Sequence, residues 1–283
     1  MDIKSSLEAI TYKAHPVNNE PHYSRMLQNN TSPVRIILLH SRAGFWSIFN
    51  KLMNYLLYYK NIRAIEFNTS NTTSAFYGNK DFFSEIFETY DIGGGTPLEA
   101  SGYLTYEATG CYANWLHLSC SKWRNTYNEL FNKYIKIRPE IISRLDKYDL
   151  SSSKKISVLI RHPALSKEQP RGKMPSFQQY DEILETLLTQ DSVIILATDV
   201  LEAYEHFLGK YKEYKIIHPF SLKTSIRQKE AQSVFSGDSE NSKIAVETVL
   251  LLAKGDHFIF PNSNMATAAL YINPNIIPHF LIG

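Results

Sequence analysis

Cysteine is scarce: Cys111 and Cys120 are the only two in 283 residues. Neither has a metal-site spacing, and the pair fits a reducing compartment without by itself excluding a disulfide. Charge of one sign is also lacking. Thirty Lys and Arg stand against 28 Asp and Glu, for a net charge of +2, so no global basic field invites nucleic acid or an anionic membrane, and any cationic function must be local. No segment approaches the roughly 20 apolar residues of a membrane span. The opening MDIKSSLEAITYKAHPVNNEPHYSR has no apolar core of signal-peptide length, and the expectation is a cytosolic protein with no anchor of its own. Repeats of 20 to 50 residues and low-complexity tracts are absent, which argues against a solenoid.

What is present describes a folded chain. Hydrophobic residues make up 43% and charged residues 20%, enough apolar mass for a full core. Eighteen Tyr and 15 Phe supply large packing surfaces, and most of them are expected in the core. The length suits two halves. Val34 to His40 reads as a buried strand and Ser41 to Ser47 as a glycine-bearing turn. Ser47 to Tyr59 reads as a helix, because Phe49, Leu52, Met53, Leu56 and Leu57 recur on one face. Arg63 to Asn68 completes a β-α-β unit. Thr69 to Ser121, centred on Gly93-Gly94-Gly95, reads as irregular and part of a site-facing loop structure. Lys122 to Lys147 is helical, with a second helix begun by Pro139.

The polar run Ser151-Ser152-Ser153-Lys154-Lys155 is the expected boundary, giving domains 1–150 and 151–283. Beyond it, strands at Ile156–Ile160, Val193–Thr198, Tyr214–Ile217 and His257–Phe260 alternate with helices at Gln178–Thr189, Val200–Lys210, Ser242–Ala253 and Met265–Tyr271, and Ile276 to Ile282 is strand-like. That alternation predicts an α/β fold with a doubly wound parallel sheet.

The feature richest in chemistry is Ser157-Val158-Leu159-Ile160-Arg161-His162-Pro163. An apolar run of this kind is a buried parallel strand, and its carboxyl end is where an open sheet has its ligand crevice. Guanidinium suits a phosphate or carboxylate there. A salt bridge across the domain boundary is the other reading of Arg161.

Ile160-Arg161-His162, placed after Gly44-Phe45-Trp46-Ser47-Ile48-Phe49-Asn50 and the helical run Tyr127 to Lys136, resembles the GDP-fucose-dependent fucosyltransferase superfamily. This superfamily contains the nodulation and core α1,6-fucosyltransferases and the protein O-fucosyltransferases. The resemblance extends in motif order over roughly residues 34 to 275 through short motifs. It implies a GT-B-like pair of Rossmann-type doubly wound domains facing across a cleft, with 1–150 mainly on the acceptor side and 151–283 on the donor side. It also implies an arginine on the donor β-phosphate, matched by Arg161. The histidine that the family carries two positions earlier is Leu159 here.

Ile195 to Asp199 is similar to the family strand ending in Ala-Thr-Asp, which puts Asp199 at the donor crevice; an N-cap for the helix beginning at Val200 is the competing role. Val249 to Ile259 followed by Asn262-Ser263-Asn264 resembles the family's helix, strand and polar turn. Asn262, Ser263, Asn264 and the following amides are then pyrophosphate contacts, although capping alone accounts for the same residues. Where the family has an aspartate for the guanine, this chain has Thr248 with Glu247 beside it. The turn holding Gly44 and Phe45 is similar to the family's Gly-Phe turn facing the donor, and Asn50 and Arg42 are further crevice candidates.

The function implied is transfer of fucose from GDP-fucose to a hydroxyl of a glycan or protein acceptor, with inversion carried over from the family. No Asp-x-Asp motif occurs, so the expectation is a metal-independent transferase, with no cofactor, whose leaving diphosphate is neutralised by Arg161 and helix-terminal amides. Glu168, seven residues after Arg161, is the candidate base and His162 the reserve; a solvated loop carboxylate is the plain alternative for Glu168. A cytosolic glycan-assembly enzyme or a secreted bacterial effector fits better than a luminal enzyme.

Two other functions remain open. Arg161-His162-Pro163 also resembles the Arg-His signature of histidine phosphatases, with His162 as nucleophile. Against it, the motif lies far from the N-terminus, and the later pair reads Asp256-His257 rather than His-Asp. A sugar-nucleotide-binding protein without catalysis is the third reading.

Overall fold

The computed structural model describes residues 31–39, 45–68, 83–100, 121–151, 154–161, 175–219, 239–261 and 263–281. The chain is a mixed α/β protein that divides into two compact units, 1–138 with 237–239, and 139–236 with 240–283. The division falls at Arg138, ahead of the polar run at 151–155. Residues 143–149 are tied to the second unit, with Arg144 bound to Glu240 and Glu247, and Asp149 to Lys215. Among the described residues no helix is long and apolar enough to cross a membrane.

In the first unit, β1 (Val34–Leu39) leads through α1 (Phe45–Tyr58) to β2 (Ile62–Asn68), followed by the short β3 (Tyr90–Asp91), β4 (Thr96–Ala100) and α2 (Ser121–Tyr134). The sheet order is β3-β2-β1-β4. β1 runs parallel to both β2 and β4, whereas β3 is antiparallel to β2. Aromatic residues fill its core. Phe45 stacks on Phe83 at 4.9 Å and Phe67 on Phe83 at 4.5 Å, with Phe49 against Phe87 at 5.1 Å.

The reading of 69–121 as irregular is corrected where the structure describes it. Residues 96–100 form a strand beside β1 that sequence periodicity hides, because Pro97 interrupts it and its first three side chains include no buried one. Proline is tolerated there because β4 is an edge strand. The Gly93-Gly94-Gly95 turn leads into Thr96, the partner of Val34 at the start of β1. It therefore lies at the amino end of the parallel strands, opposite the edge where such sheets bind ligands. Gly95 has φ +92°, and a Cβ on it would lie 2.9 Å from the Val34 carbonyl carbon. Left-handed backbone costs a non-glycine residue about 1–2 kcal/mol, and the backbone clash adds to it. Gly95→Ala is expected to lower stability by at least about 2 kcal/mol in thermal or denaturant unfolding; an unchanged midpoint would contradict this packing.

The second unit begins with the short α3 (Pro139–Ile142) and a 3₁₀ turn, Ser143–Leu145. It continues with β5 (Lys154–Ile160), α4 (Phe177–Leu187), β6 (Ser192–Thr198), α5 (Leu201–Lys210), β7 (Lys215–Ile217), α6 (Ser239–Leu252), β8 (His257–Phe260), α7 (Asn264–Ile272) and β9 (Ile277–Phe280). The strands lie in the order β7-β6-β5-β8-β9, and every pairing is parallel. The middle strands are buried along nearly their whole length, as expected for a sheet covered on both faces. On one face Ile156, Val158, Ile160, Ile194 and Leu196 pack against Tyr180 and Leu184 of α4 and Phe207 of α5. On the other, the Ser157 hydroxyl donates to Leu252 O at the end of α6, 2.8 Å away. α4 starts where its chemistry dictates: Ser176 and Gln179 form a reciprocal capping box.

At the β8–β9 pair, His257 Nδ1 and His279 Nε2 lie 3.1 Å apart. Burial, then the neighbouring His257, pushes His279 down to about 4; burial and Lys154 lower His257, and Asp256 opposes them. Because the folded form holds His279 below its unfolded value, the unfolded chain binds more protons between pH about 6.5 and about 4. Stability is therefore lost as the pH falls through that window. His279→Gln should flatten the fall in Tm between pH 7 and 4.5; an unaltered profile would assign the acid sensitivity to other groups.

Candidate functional site

β5 is the strand at which the second sheet changes direction: the chain proceeds from it to β6 and β7 on one side, then returns to β8 and β9 on the other. Such a switch point leaves a crevice at the carboxyl ends of the two strands that diverge from it. Arg161 is the first residue past β5. The strand that delivers it is buried from Ile156 to Ile160, and the Tyr180 hydroxyl, donating to Leu159 O at 3.1 Å, pins the backbone near its carboxyl end.

Arg161 is half-buried and reaches across the switch point to α7. Its Nη1 lies 3.5 Å from Met265 Sδ, in the first turn of that helix. No carboxylate among the described residues pairs with it; the ion pairs of this unit involve Arg144, Lys147, Lys155, His206, Lys210 and Lys215 instead. The salt-bridge reading of Arg161 thus has no partner among the described residues. Ser263 caps α7, its hydroxyl accepting from Met265 N–H at 3.2 Å while Thr267 Oγ1 donates to Ser263 O. A cap that accepts in this way keeps its own hydroxyl proton to donate. The guanidinium, without a carboxylate partner among the described residues, therefore stands beside the positive end of a nine-residue helix. Two positive elements side by side repel each other and both attract an anion.

The other predicted residues divide into three groups. Asp199 directly follows Thr198, which pairs with Ile160 in the sheet, so Asp199 and Arg161 occupy equivalent positions past adjacent strands. Asp199 does not cap α5: the cap position is Val200, without a side-chain bond, and Val200 N–H is bound by Thr198 Oγ1 at 3.1 Å. Ser263 and Asn264 are at the α7 terminus as expected. Gly44, His162, Glu168 and Asn262, with Arg42, lie outside the described residues.

Glu247, Thr248 and Phe45 are buried. Glu247 has no exposed surface, and its carboxylate accepts from Arg144 Nε at 2.7 Å, Lys147 Nζ at 2.8 Å and the Tyr148 hydroxyl. Burial pushes this carboxyl up, but Lys147, Tyr148 and Arg144 together hold it below its usual range. It is an anchor for residues 144–148. Thr248 is equally buried and returns its hydroxyl to Ile244 O at 2.7 Å. Phe45 is 2% exposed, inside the aromatic core of the first unit. Asn50 is buried on the same helix, on a polar stripe with Ser47, Lys51 and Asn54; Asn54 accepts from the Tyr127 hydroxyl at 2.8 Å.

One residue at this edge escapes sequence reasoning. His218 directly follows β7 and its Nε2 lies 3.3 Å from Thr198 O; the signal was the same as for Arg161, a polar side chain immediately past an apolar run. His257, by contrast, pairs with Ile156 at the start of β5. Arg161 is five positions beyond Ile156, which puts His257 roughly 16 Å from it along the sheet, at the opposite end.

No protein-family model and no curated protein matches this chain. Solved structures do. NodZ α-1,6-fucosyltransferase soaked with GDP-fucose superimposes with a TM-score of 0.53 at 16% identity, over 86% of this chain and 94% of that one. The fold is similar to that of NodZ. Fucosyltransferase NodZ from Bradyrhizobium gives the same TM-score and identity over 88% of this chain and 95% of its own. NodZ co-crystallised with GDP gives 0.52 at 16%. The likeness to NodZ spans both sheets and is one of fold.

Proposed function

We propose that this chain is a fucosyltransferase-like glycosyltransferase that moves fucose from GDP-fucose to a hydroxyl of a glycan or protein acceptor, with inversion and without a metal. The observation that carries the reading is Arg161, without a carboxylate partner among the described residues, beside the amino terminus of α7 at the switch point of the second sheet. Its fold likeness to NodZ supplies the donor class. The second unit is the donor side and the first mainly the acceptor side, in a GT-B arrangement.

In this scheme the acceptor oxygen attacks the anomeric carbon from the face opposite the diphosphate, and the bond from that carbon to the β-phosphate oxygen breaks. The electron pair leaves with GDP, where Arg161, the Ser263 hydroxyl and the α7 amides meet the developing charge. The acceptor proton passes to Glu168, with His162 in reserve. Asp199, Asn264 and Asn262 are the further donor contacts proposed for the second unit, and Gly44 and Asn50 those that the family resemblance proposes for the first.

The phosphatase alternative is not favoured. The Asp256-His257 pair offered for its second histidine is at the other end of β8 from the Arg161 edge, and the fold likeness is to a fucosyltransferase. A donor-binding protein without turnover is separated from the enzyme by one assay. GDP-fucose is incubated with the full chain and a panel of glycan and peptide hydroxyl acceptors in excess chelator, and fucosylated product is sought by mass spectrometry. Product with inverted anomeric configuration supports the reading; GDP binding with neither product nor donor hydrolysis overturns its catalytic part.

A further inference from the structure

We propose that Met265 is a positioning residue, whose thioether fixes the Arg161 guanidinium for an anionic ligand without neutralising it; this rests on the donor-site reading given above. A half-buried guanidinium has five donors and gains from an acceptor. A carboxylate acceptor would satisfy it in a bidentate pair and cancel the charge that a diphosphate needs. An aliphatic side chain would leave the same donors without direction. Thioether sulfur lies between these cases, being a weak, uncharged acceptor.

The geometry makes this contact a rigid one. Met265 is 9% exposed, so its side chain is held by packing. Its backbone N–H is held by the Ser263 cap. One residue thereby joins the arginine to the helix end, keeping two mutually repelling positive elements in register. That arrangement is unfavourable in the free protein and is relieved by an anion bridging both, which is the differential a binding site needs.

The test is a double-mutant cycle on the full chain, with GDP affinity measured by calorimetry and Tm by thermal unfolding. Met265→Leu preserves volume and is expected to leave Tm nearly unchanged while weakening GDP about three- to tenfold. Met265→Glu places a counter-charge on Arg161 and should weaken GDP by about 100-fold or more. In an Arg161→Ala background, Met265→Leu should have no effect on affinity, because there is no guanidinium left to orient. Equal losses in both backgrounds, or no loss in either, overturn the positioning role while leaving the donor site intact. Arg161→Ala without any loss of GDP affinity overturns the donor-site reading itself, and the positioning role with it.

Discussion

Arg161→Ala is expected to weaken GDP binding and to cut transfer from GDP-fucose by about 100-fold or more, the cost of removing one preorganised donor to a developing oxyanion. The same substitution should leave the stability of the free protein unchanged or slightly raised. That second expectation separates the site from an ordinary structural arginine. A guanidinium whose described contact is a thioether 3.5 Å away has no ion pair among the described residues, and its removal relieves repulsion with the α7 terminus. Loss of Tm together with unchanged GDP affinity would reverse both halves of the assignment.

Glu247→Ala should have the largest effect on the fold. Removing a fully buried carboxylate that serves Arg144, Lys147 and Tyr148 strands their donors, and breaking such a pair costs about 3–5 kcal/mol. The lower end applies here, because Lys147 remains half-exposed and can rehydrate. The loss should be local before it is global: hydrogen exchange is expected to rise first across residues 139–149, which Glu247 ties to α6. Since its carboxyl is held below its usual range, the anchor's contribution is full above the unfolded pKa and is lost as pH falls through the folded one. Glu247→Gln should keep GDP affinity at a temperature where the variant is folded. A selective loss of GDP over UDP binding in that variant would restore Glu247 as a base-reading residue.

The strands that carry the donor-side reading were legible because a buried parallel strand is written as a continuous apolar run. Ser157 to Ile160 and Val193 to Thr198 end two such strands, and the residue past each, Arg161 and Asp199, is at the ligand edge by topology alone. β4 was illegible for the opposite reason: an exposed edge strand needs neither alternation nor an apolar run, and Pro97 removes what propensity remained. The Gly93–Gly95 turn looked like a ligand loop because positive φ is common to phosphate-binding turns and tight reversals; only the pairing of Thr96 with Val34 places it at the far end of the sheet.

Side-chain partnership was the other blind spot. A glutamate beside a threonine on a helix looks available until Arg144, about 100 residues earlier, is found against it. The Arg161–Met265 contact has the same character: it spans 104 residues, and a methionine in an apolar helix carries no outward sign of touching an arginine. His218 could have been found by the rule that identified Arg161, had the short strand ending at Ile217 been followed one residue further.

The most direct measurement is calorimetric titration of the full chain with GDP, UDP and inorganic phosphate in excess chelator, wild type beside Arg161→Ala. Selective binding of GDP by the wild type, sharply weakened in the variant, is the predicted result. GDP binding that is absent, no tighter than that of UDP or phosphate, dependent on added metal, or indifferent to Arg161 would contradict the account.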